Sequence, residues 1–229
     1  MTLATMQLET IQIDTAANPT AAVIVLHGLG ADGNDFVPIA QELDLSAVGA
    51  VRFVFPHAPV RPVTVNGGHE MRAWYDIYGA ELSSGGQKRE DEAGLRASQR
   101  AIEAVIAEQV ASGIPASRIV LAGFSQGCAM TLMTGLRHAD KLAGLVGLSG
   151  YLPLAAHTAA ERSAANADTP IFLVHGRQDP VIALARATDS RDALVALGYP
   201  VEWHDYAMPH SVCAQEVADW NAWLVKVLG

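Results

Sequence analysis

The segment Val120–Met130, VLAGFSQGCAM, joins a run of apolar residues to a run of helix-forming residues through the motif Gly-x-Ser-x-Gly. The apolar run predicts a strand over Ile119–Gly123, and a helix is predicted directly after it over Ser125–Leu136. The two glycines lack Cβ atoms, so strand and helix can approach closely while Ser125 adopts a strained backbone that exposes its hydroxyl. Glycine and serine are common residues, so the motif alone is weak evidence for a nucleophile. A base, an acid and an oxyanion site are needed elsewhere in the chain.

Five further apolar runs indicate that this strand belongs to a larger sheet. The runs are Ala22–His27, Val51–Phe55, Leu142–Ser149, Pro170–His175 and Val201–Tyr206, and helical patterns occur at Asp91–Val110, Ile182–Leu197 and Ala214–Leu228. Nearly continuous apolar strands are typical of parallel sheets covered on both faces, and their alternation with helices implies right-handed crossovers. The polar residues of Val201–Tyr206 favour a position near a sheet edge. We therefore predict an α/β fold with a mostly parallel central sheet and helices on both faces, in a single domain over residues 1–229.

Two segments do not fit this alternation. Ala58–Gly86 is long and rich in glycine, proline and aromatic residues, and loops of such length are usually functional or partly disordered. Tyr151–Thr169 is rich in alanine, and we expect it to be a poorly packed excursion after the fourth strand.

Composition and charge argue against several classes of function. Half of the 229 residues are hydrophobic and 17% are charged, which is typical of a globular chain. The net charge of −9 disfavours binding to nucleic acid or to an anionic membrane surface. Cys128 and Cys213 form neither a disulfide framework nor a metal-ligand spacing, so we expect no metal and no other cofactor.

The N-terminal residues lack the pattern of a signal peptide, and no apolar stretch approaches the roughly 20 residues of a membrane span. We therefore expect a cytoplasmic protein without integral membrane association. Nothing in the sequence locates a subunit interface, and the expected state is a monomer or a weak homodimer.

Three residue types with complementary chemistry follow three of the predicted strands. Ser125, Asp179 and His210 occur in the order that is typical of α/β-hydrolases, at the carboxyl ends of strands where such folds bind ligands. A histidine can remove the serine proton and later protonate the leaving group, while the carboxylate fixes the imidazole tautomer. This pattern predicts a nucleophile, an acid and a base.

The backbone N–H of Gln126, at the start of the helix, is a natural donor to the oxyanion of a tetrahedral intermediate. We expect the second donor in the loop after the first strand, at Leu29. Since Gln126 would act through its backbone, Gln126→Ala should be milder than Ser125→Ala.

Other candidates have plainer interpretations. His27 and His57 follow strands but suit loop hydrogen bonding, while Asp205 falls within a strand and Asp189 within a helix. The two cysteines are best interpreted as small core residues. Residues that could line an acyl groove are Trp74, Ile77, Leu82 and Val181, although Trp74 equally suits the core.

Five motifs resemble the bacterial carboxylesterase and acyl-protein thioesterase family, the phospholipase/carboxylesterase group of α/β-hydrolases. They are HGLGADG from His27, RAWYD from Arg72, GFSQG from Gly123, HGRQDPVI from His175 and MPHSVC from Met208. The resemblance implies a compact hydrolase without a large lid domain, active on carboxylic esters and, in some members, on thioesters of acylated proteins or on lysophospholipids.

Position by position, Ser125, Asp179 and His210 match the family's triad, and Leu29 and Gln126 match its oxyanion donors. The departure is Cys128, where a second glycine is expected after GFSQG. It is expected to alter packing behind the nucleophile without removing a catalytic group.

The leading hypothesis is a serine carboxylesterase that hydrolyses esters of short to medium acyl chains through an acyl-enzyme on Ser125. The expected partner is a small-molecule ester or an acylated protein. One alternative is an acyl-protein thioesterase or lysophospholipase that uses the same triad. An alternative from another class is a non-catalytic binding protein on a hydrolase fold, which the fold alone would permit.

Overall fold

The computed structural model describes residues 7–79 and 90–229. Within them the strands are β1 (Thr10–Asp14), β2 (Ala21–Leu26), β3 (Val51–Pro56), β4 (Val60–Val63), β5 (His69–Arg72), β6 (Ile119–Phe124), β7 (Gly144–Leu148), β8 (Ile171–Gly176) and β9 (Val201–Tyr206). The α-helices are α1 (Val37–Glu42), α2 (Glu92–Ala111), α3 (Gln126–Gly135), α4 (Ala155–Glu161), α5 (Leu184–Ala196) and α6 (Ala214–Leu228).

Seven strands form one sheet in the order β1-β3-β2-β6-β7-β8-β9. Within this sheet, all neighbouring strands along the order β3-β2-β6-β7-β8-β9 are parallel, and β1 joins β3 in the antiparallel direction. The predicted α/β fold is confirmed, and β9 lies at the edge that its polar residues indicated. All carboxyl ends of the parallel strands therefore meet along one side of the sheet.

Both faces of the sheet are covered by apolar side chains. Because successive strand residues point to opposite faces, Ile24 packs in a core with α2, α3 and α5, while Val25 packs in a core with α1 and α6. The residues of β2 are almost completely buried, which explains the unbroken apolar run in the sequence. This rigid sheet positions the loops that follow β2, β6, β7, β8 and β9.

The structure corrects the expectation for Tyr151–Thr169 in part, because residues 151–154 are buried whereas most of α4 is exposed. The segment contains α4, and its buried Asn166 accepts the Leu142 N–H at 2.9 Å and donates to the carbonyl oxygens of His138 and Asp140, both at 2.8 Å. A polar side chain that satisfies three backbone groups fixes this segment. The pattern of apolar residues in the sequence does not indicate these hydrogen bonds of Asn166.

A buried carboxyl in the first turn of α6 makes the stability of the fold depend on pH. Glu216 is fully buried, and its Oε2 accepts the Cys213 N–H at 3.4 Å. Burial raises the pKa of this carboxyl to about 8, whereas an unfolded glutamate titrates near about 4.3. The folded state therefore binds an additional proton between these two values, and stability falls as the pH rises through this window.

We expect Glu216→Gln to raise the free energy of unfolding by up to about 5 kcal/mol at about pH 9 and to change it little at about pH 4. A glutamine retains the acceptor for the Cys213 N–H without the cost of burying a charge. Denaturant unfolding at both pH values measures the difference, with Glu108→Gln on the exposed side of α2 as the control. A gain of equal size at both pH values would contradict this explanation.

Candidate active site

The turn between β6 and α3 presents Ser125 in an unusual backbone conformation. Its φ is 54° and its ψ is −115°, a region that costs a residue with a side chain of order 1–3 kcal/mol. The Ser125 N–H donates to the Leu148 carbonyl at 2.8 Å, which ties the turn to β7. A Cβ atom on Gly127 would lie 2.0 Å from the Leu26 carbonyl oxygen, so only glycine allows α3 to approach β2 this closely. The serine hydroxyl is thereby held at the carboxyl end of β6, in the middle of the sheet.

The structure brings the three candidate triad residues into one hydrogen-bonded chain. His210 Nδ1 donates to Asp179 Oδ2 at 2.6 Å, and the Ser125 hydroxyl lies 2.9 Å from His210 Nε2. When the imidazole proton is on Nδ1 and is hydrogen-bonded to the carboxylate, Nε2 is unprotonated and can accept the serine proton. This is the geometry that a histidine needs in order to act as a general base toward serine.

Asp179 is held by the backbone of its own turn. Its side chain is fully buried, and Oδ1 accepts the N–H groups of Val181 at 2.8 Å and Ile182 at 2.9 Å. The imidazole of His175 lies beside it, with Nε2 3.4 Å from Oδ2 while donating to the Ile182 carbonyl at 2.8 Å. These contacts fix the carboxylate so that its Oδ2 faces His210 Nδ1.

The two rival acids lie elsewhere. Asp205 pairs with the Arg177 guanidinium at 2.6 Å, and this hydrogen bond lowers the pKa of the Asp205 carboxyl. Asp189 lies on α5. Asp179 is therefore the acid that contacts His210.

The N–H groups of Leu29 and Gln126 have no hydrogen-bond acceptor within the described part of the chain. The following loop is fixed, since Gly30 donates to the Arg72 carbonyl at 2.9 Å. Gln126 is the first residue of α3, where the N–H groups have no partner inside the helix. Both residues line the cavity beside Ser125, as an oxyanion site requires.

His27 forms hydrogen bonds with loop backbone groups, as expected for a structural and not a catalytic histidine. Its Nδ1 donates to the Gly28 carbonyl at 2.7 Å, and its Nε2 accepts the Ala58 N–H at 3.0 Å. Burial lowers the pKa of this imidazole to about 4, so it stays neutral near pH 7. His57 also accepts a loop N–H, from Gly33 at 3.1 Å.

The side chain of Gln126 has a role that the sequence did not indicate. Its Oε1 accepts the Trp74 N–H at 2.8 Å, and its Nε2 donates to the Tyr75 carbonyl at 2.8 Å. All of these groups are buried. The residue next to the nucleophile therefore fixes the segment that forms one wall of the cavity.

We expect Gln126→Ala to lower kcat/KM by about 10–100-fold, because a wall displaced by about 1 Å can misplace the substrate. The free energy of unfolding should fall by about 2–4 kcal/mol, since the Trp74 N–H and Tyr75 carbonyl lose their partners. The loss of activity stays smaller than for Ser125→Ala, because the backbone N–H at position 126 is retained. The control is Gln109→Ala, which truncates a buried glutamine on α2. It should lower stability while leaving kcat/KM near the wild-type value. An equal loss of kcat/KM in both variants would contradict the role of the Gln126 side chain in fixing the cavity wall.

An apolar cavity of ≈ 440 Å³ opens beside Ser125 and His210. The structure places Ile77 and Val181 in its lining. Of the two alternatives for Trp74, the structure shows the core position: the residue is fully buried behind the wall, with its Nε1 donating to the His27 carbonyl at 2.9 Å. Leu82 lies outside the described residues.

Two tyrosines in the lining were missed from the sequence. Tyr75 and Tyr151 line the cavity, and their hydroxyl oxygens lie 2.6 Å apart. A signal existed for Tyr151, because it follows β7 at the same side of the sheet as the catalytic candidates. Tyr75 falls within the RAWYD motif, next to Trp74.

Cys128 fits behind the nucleophile because a glycine faces it. A Cβ atom on Gly150 would lie 2.4 Å from the Cys128 Cβ and 2.8 Å from the Ser125 carbonyl oxygen. The thiol is buried, and burial raises its pKa to about 12, so it is an inert thiol at neutral pH. The side chain at position 128 is therefore accommodated by packing, in line with the expectation.

Residues 7–79 and 90–229 contain no group of three or more histidine, cysteine, aspartate or glutamate side chains that could hold a metal ion. Among the helices of these same ranges, none has the length and apolar character needed to cross a membrane.

A family model described as phospholipase/carboxylesterase matches residues 8–228. The chain belongs to this family. A relative named acyl-protein thioesterase 1 from Yarrowia lipolytica is 40% identical over 218 residues, which cover 93% of this chain and 95% of the relative. The protein of the same name from Neurospora crassa is 41% identical over 210 residues, with coverage of 90% and 86%.

Two solved structures show the same fold. Acyl-protein thioesterase 2 from Zea mays superposes with a TM-score of 0.82 at 30% identity, covering 96% of this chain and 99% of its own. SOBER1 from Arabidopsis thaliana gives a TM-score of 0.82 at 26% identity, covering 91% and 99%. The α/β-hydrolase fold is therefore confirmed.

These matches define the chain as a serine hydrolase of the esterase and thioesterase kind, which sets aside the non-catalytic alternative. They support the thioesterase alternative better than the leading carboxylesterase hypothesis. The expected family is confirmed, but its description as bacterial is not supported, because the relatives at about 40% identity are fungal.

Proposed function

We propose that this member of the family is an acyl-protein thioesterase, which removes acyl groups from protein thiols through an acyl-enzyme on Ser125. The observation that carries the proposal is the hydrogen-bonded chain from Ser125 through His210 to Asp179 at the edge of an apolar cavity. The cavity suits an acyl chain, and the fungal relatives named acyl-protein thioesterase 1 support a thioester as the bond that is broken.

The reaction begins when Ser125 Oγ attacks the thioester carbonyl carbon and its proton passes to His210 Nε2. The N–H groups of Leu29 and Gln126 stabilise the oxyanion. The carbon–sulfur bond then breaks, and the departing thiolate takes the proton from His210 and leaves as the thiol. In the second half, His210 removes a proton from water, the hydroxide attacks the acyl-enzyme, and the serine oxygen recovers that proton as the free acid leaves.

An oxyester would pass through the same acyl-enzyme, and the carboxylesterase activity remains the second candidate. A lysophospholipid would also use these groups. The apolar cavity in contact with Ser125 is compatible with all three, because the acyl part that these substrates share would occupy it.

The test compares one acyl group on two leaving groups. A peptide bearing an S-acyl cysteine and the same peptide bearing an O-acyl serine are hydrolysed by the purified protein, and kcat/KM is measured for both. We expect the thioester to be preferred after correction for the uncatalysed rates. A preference for the oxyester would favour the carboxylesterase, and a fluorophosphonate that adds mass at Ser125 alone verifies that the serine is reactive.

A cytoplasmic location, a single domain over residues 1–229 and a monomeric or weakly dimeric state remain predictions of the sequence.

A further inference from the structure

The exposure of the lining residues distinguishes the mouth of the cavity from its floor. At the mouth, Val65 is 40% exposed and Val181 is 45% exposed. At the floor, Tyr75 and Tyr151 are 1% and 2% exposed. An acyl chain attached at Ser125 therefore meets the two tyrosines where the cavity ends inside the protein.

A second, much smaller void of ≈ 10 Å³ also has Tyr151 in its lining. Its lining includes Cys128, Leu132, Gly150, Leu173, Ser190 and Trp203. Tyr151 lines both this void and the cavity beside Ser125. Because Tyr151 is common to both linings, we take its ring as the partition between the two spaces, of which the smaller is at the lower limit for a single water molecule.

Contacts on two sides hold Tyr151 in this position. Its hydroxyl is hydrogen-bonded to that of Tyr75 at 2.6 Å, and the guanidinium carbon of Arg186 lies 3.4 Å from the centre of its ring. Tyr75 is in turn fixed through its carbonyl by the Gln126 side chain. The partition is thus positioned relative to the nucleophile, and such a constraint opposes rotation of the ring away from an incoming chain.

We propose that Tyr151 sets the upper limit of acyl-chain length by closing the inner end of the cavity. The inference rests on the proposed function, since it concerns the acyl group bound in the same site. It narrows the substrate class to chains that end before the ring, with longer chains excluded by a wall that the Tyr75 hydroxyl and Arg186 hold in place.

Removal of the ring should join the two spaces and admit longer chains. Each additional methylene that becomes buried contributes about 0.8 kcal/mol, which is about fourfold in kcat/KM. Admission of two more methylenes would therefore raise kcat/KM for the longer chain by about 15-fold relative to a chain that already fits.

The experiment measures kcat/KM for one cysteine peptide acylated with saturated chains from acetyl to palmitoyl. The wild-type protein, Tyr151→Ala and Tyr151→Leu are compared, the last because a smaller truncation folds more readily. We expect both variants to shift the optimum toward longer chains. Tyr199→Ala, which truncates a buried tyrosine that faces Arg162 rather than the cavity, should lower stability and leave the optimum unchanged.

The outcomes separate this inference from the proposed function. Hydrolysis by folded Tyr151→Leu with the wild-type optimum would overturn the role of Tyr151 while leaving the thioesterase proposal intact. A shift of the same size in Tyr199→Ala would also overturn it, because general loosening would then be sufficient. Failure of the wild-type protein to hydrolyse any chain would refute the proposed function itself.

Discussion

Ser125→Ala is expected to lower kcat for acyl-thioester hydrolysis by about 10⁴–10⁶-fold, because alanine offers no oxygen to form the acyl-enzyme. The N–H groups of Leu29 and Gln126 would remain, so a small residual rate over that in water is expected. The measurement is single-turnover and steady-state hydrolysis of an S-acyl peptide, with circular dichroism to verify the fold.

Ser149→Ala is a closely matched control. Ser149 follows β7 as Ser125 follows β6, it also has a positive φ, of 48°, and it is buried. Its hydroxyl is not part of the hydrogen-bonded chain to His210, so this variant should retain near-wild-type kcat. Turnover by a folded Ser125→Ala protein at more than a few per cent of the wild-type rate would rule out the proposed nucleophile.

Asp179→Asn is expected to lower kcat by about 10⁴-fold with the fold retained. The asparagine oxygen can still accept the N–H groups of Val181 and Ile182 that now bind Oδ1. Its amide would then donate to His210 Nδ1, which places the imidazole proton on Nε2. In this tautomer Nε2 cannot accept the Ser125 proton.

The matched substitution is Asp205→Asn, which removes a carboxylate bonded to Arg177 at the exposed edge of the sheet. It should change kcat by no more than about twofold, as expected for a partly exposed pair. The rate of fluorophosphonate labelling at Ser125 should fall in Asp179→Asn in proportion to kcat and stay constant in Asp205→Asn. Equal effects of the two substitutions would mean that Asp179 is not the orienting acid.

The parallel sheet was predictable because its strands are buried on both faces and therefore appear as unbroken apolar runs. The antiparallel β1 was missed, since its burial alternates along Thr10–Asp14 and an edge strand needs apolar residues on one face only. The hairpin of β4 and β5 was missed because each strand has four residues, too few for a periodic signal.

In the candidate site, too, some features can be predicted from local sequence patterns and others cannot. Ser125, Asp179 and His210 follow strands, so their position along the chain predicts their proximity. The Gln126 side chain bonds to residues 51 and 52 positions away, at Tyr75 and Trp74. Such contacts depend on how loops fold over the sheet, and no local pattern indicates them.

The order of these residues along the chain also has a consequence for protein synthesis. Ser125 and His210 are 85 residues apart, and β9, which leads to His210, pairs with β8 at the sheet edge. At about 5–20 residues per second, the ribosome needs roughly 4–17 s to add the base after the nucleophile. The turn around Ser125 can therefore form on the nascent chain well before a base exists, and the emerging protein stays inactive until its last strand has been added.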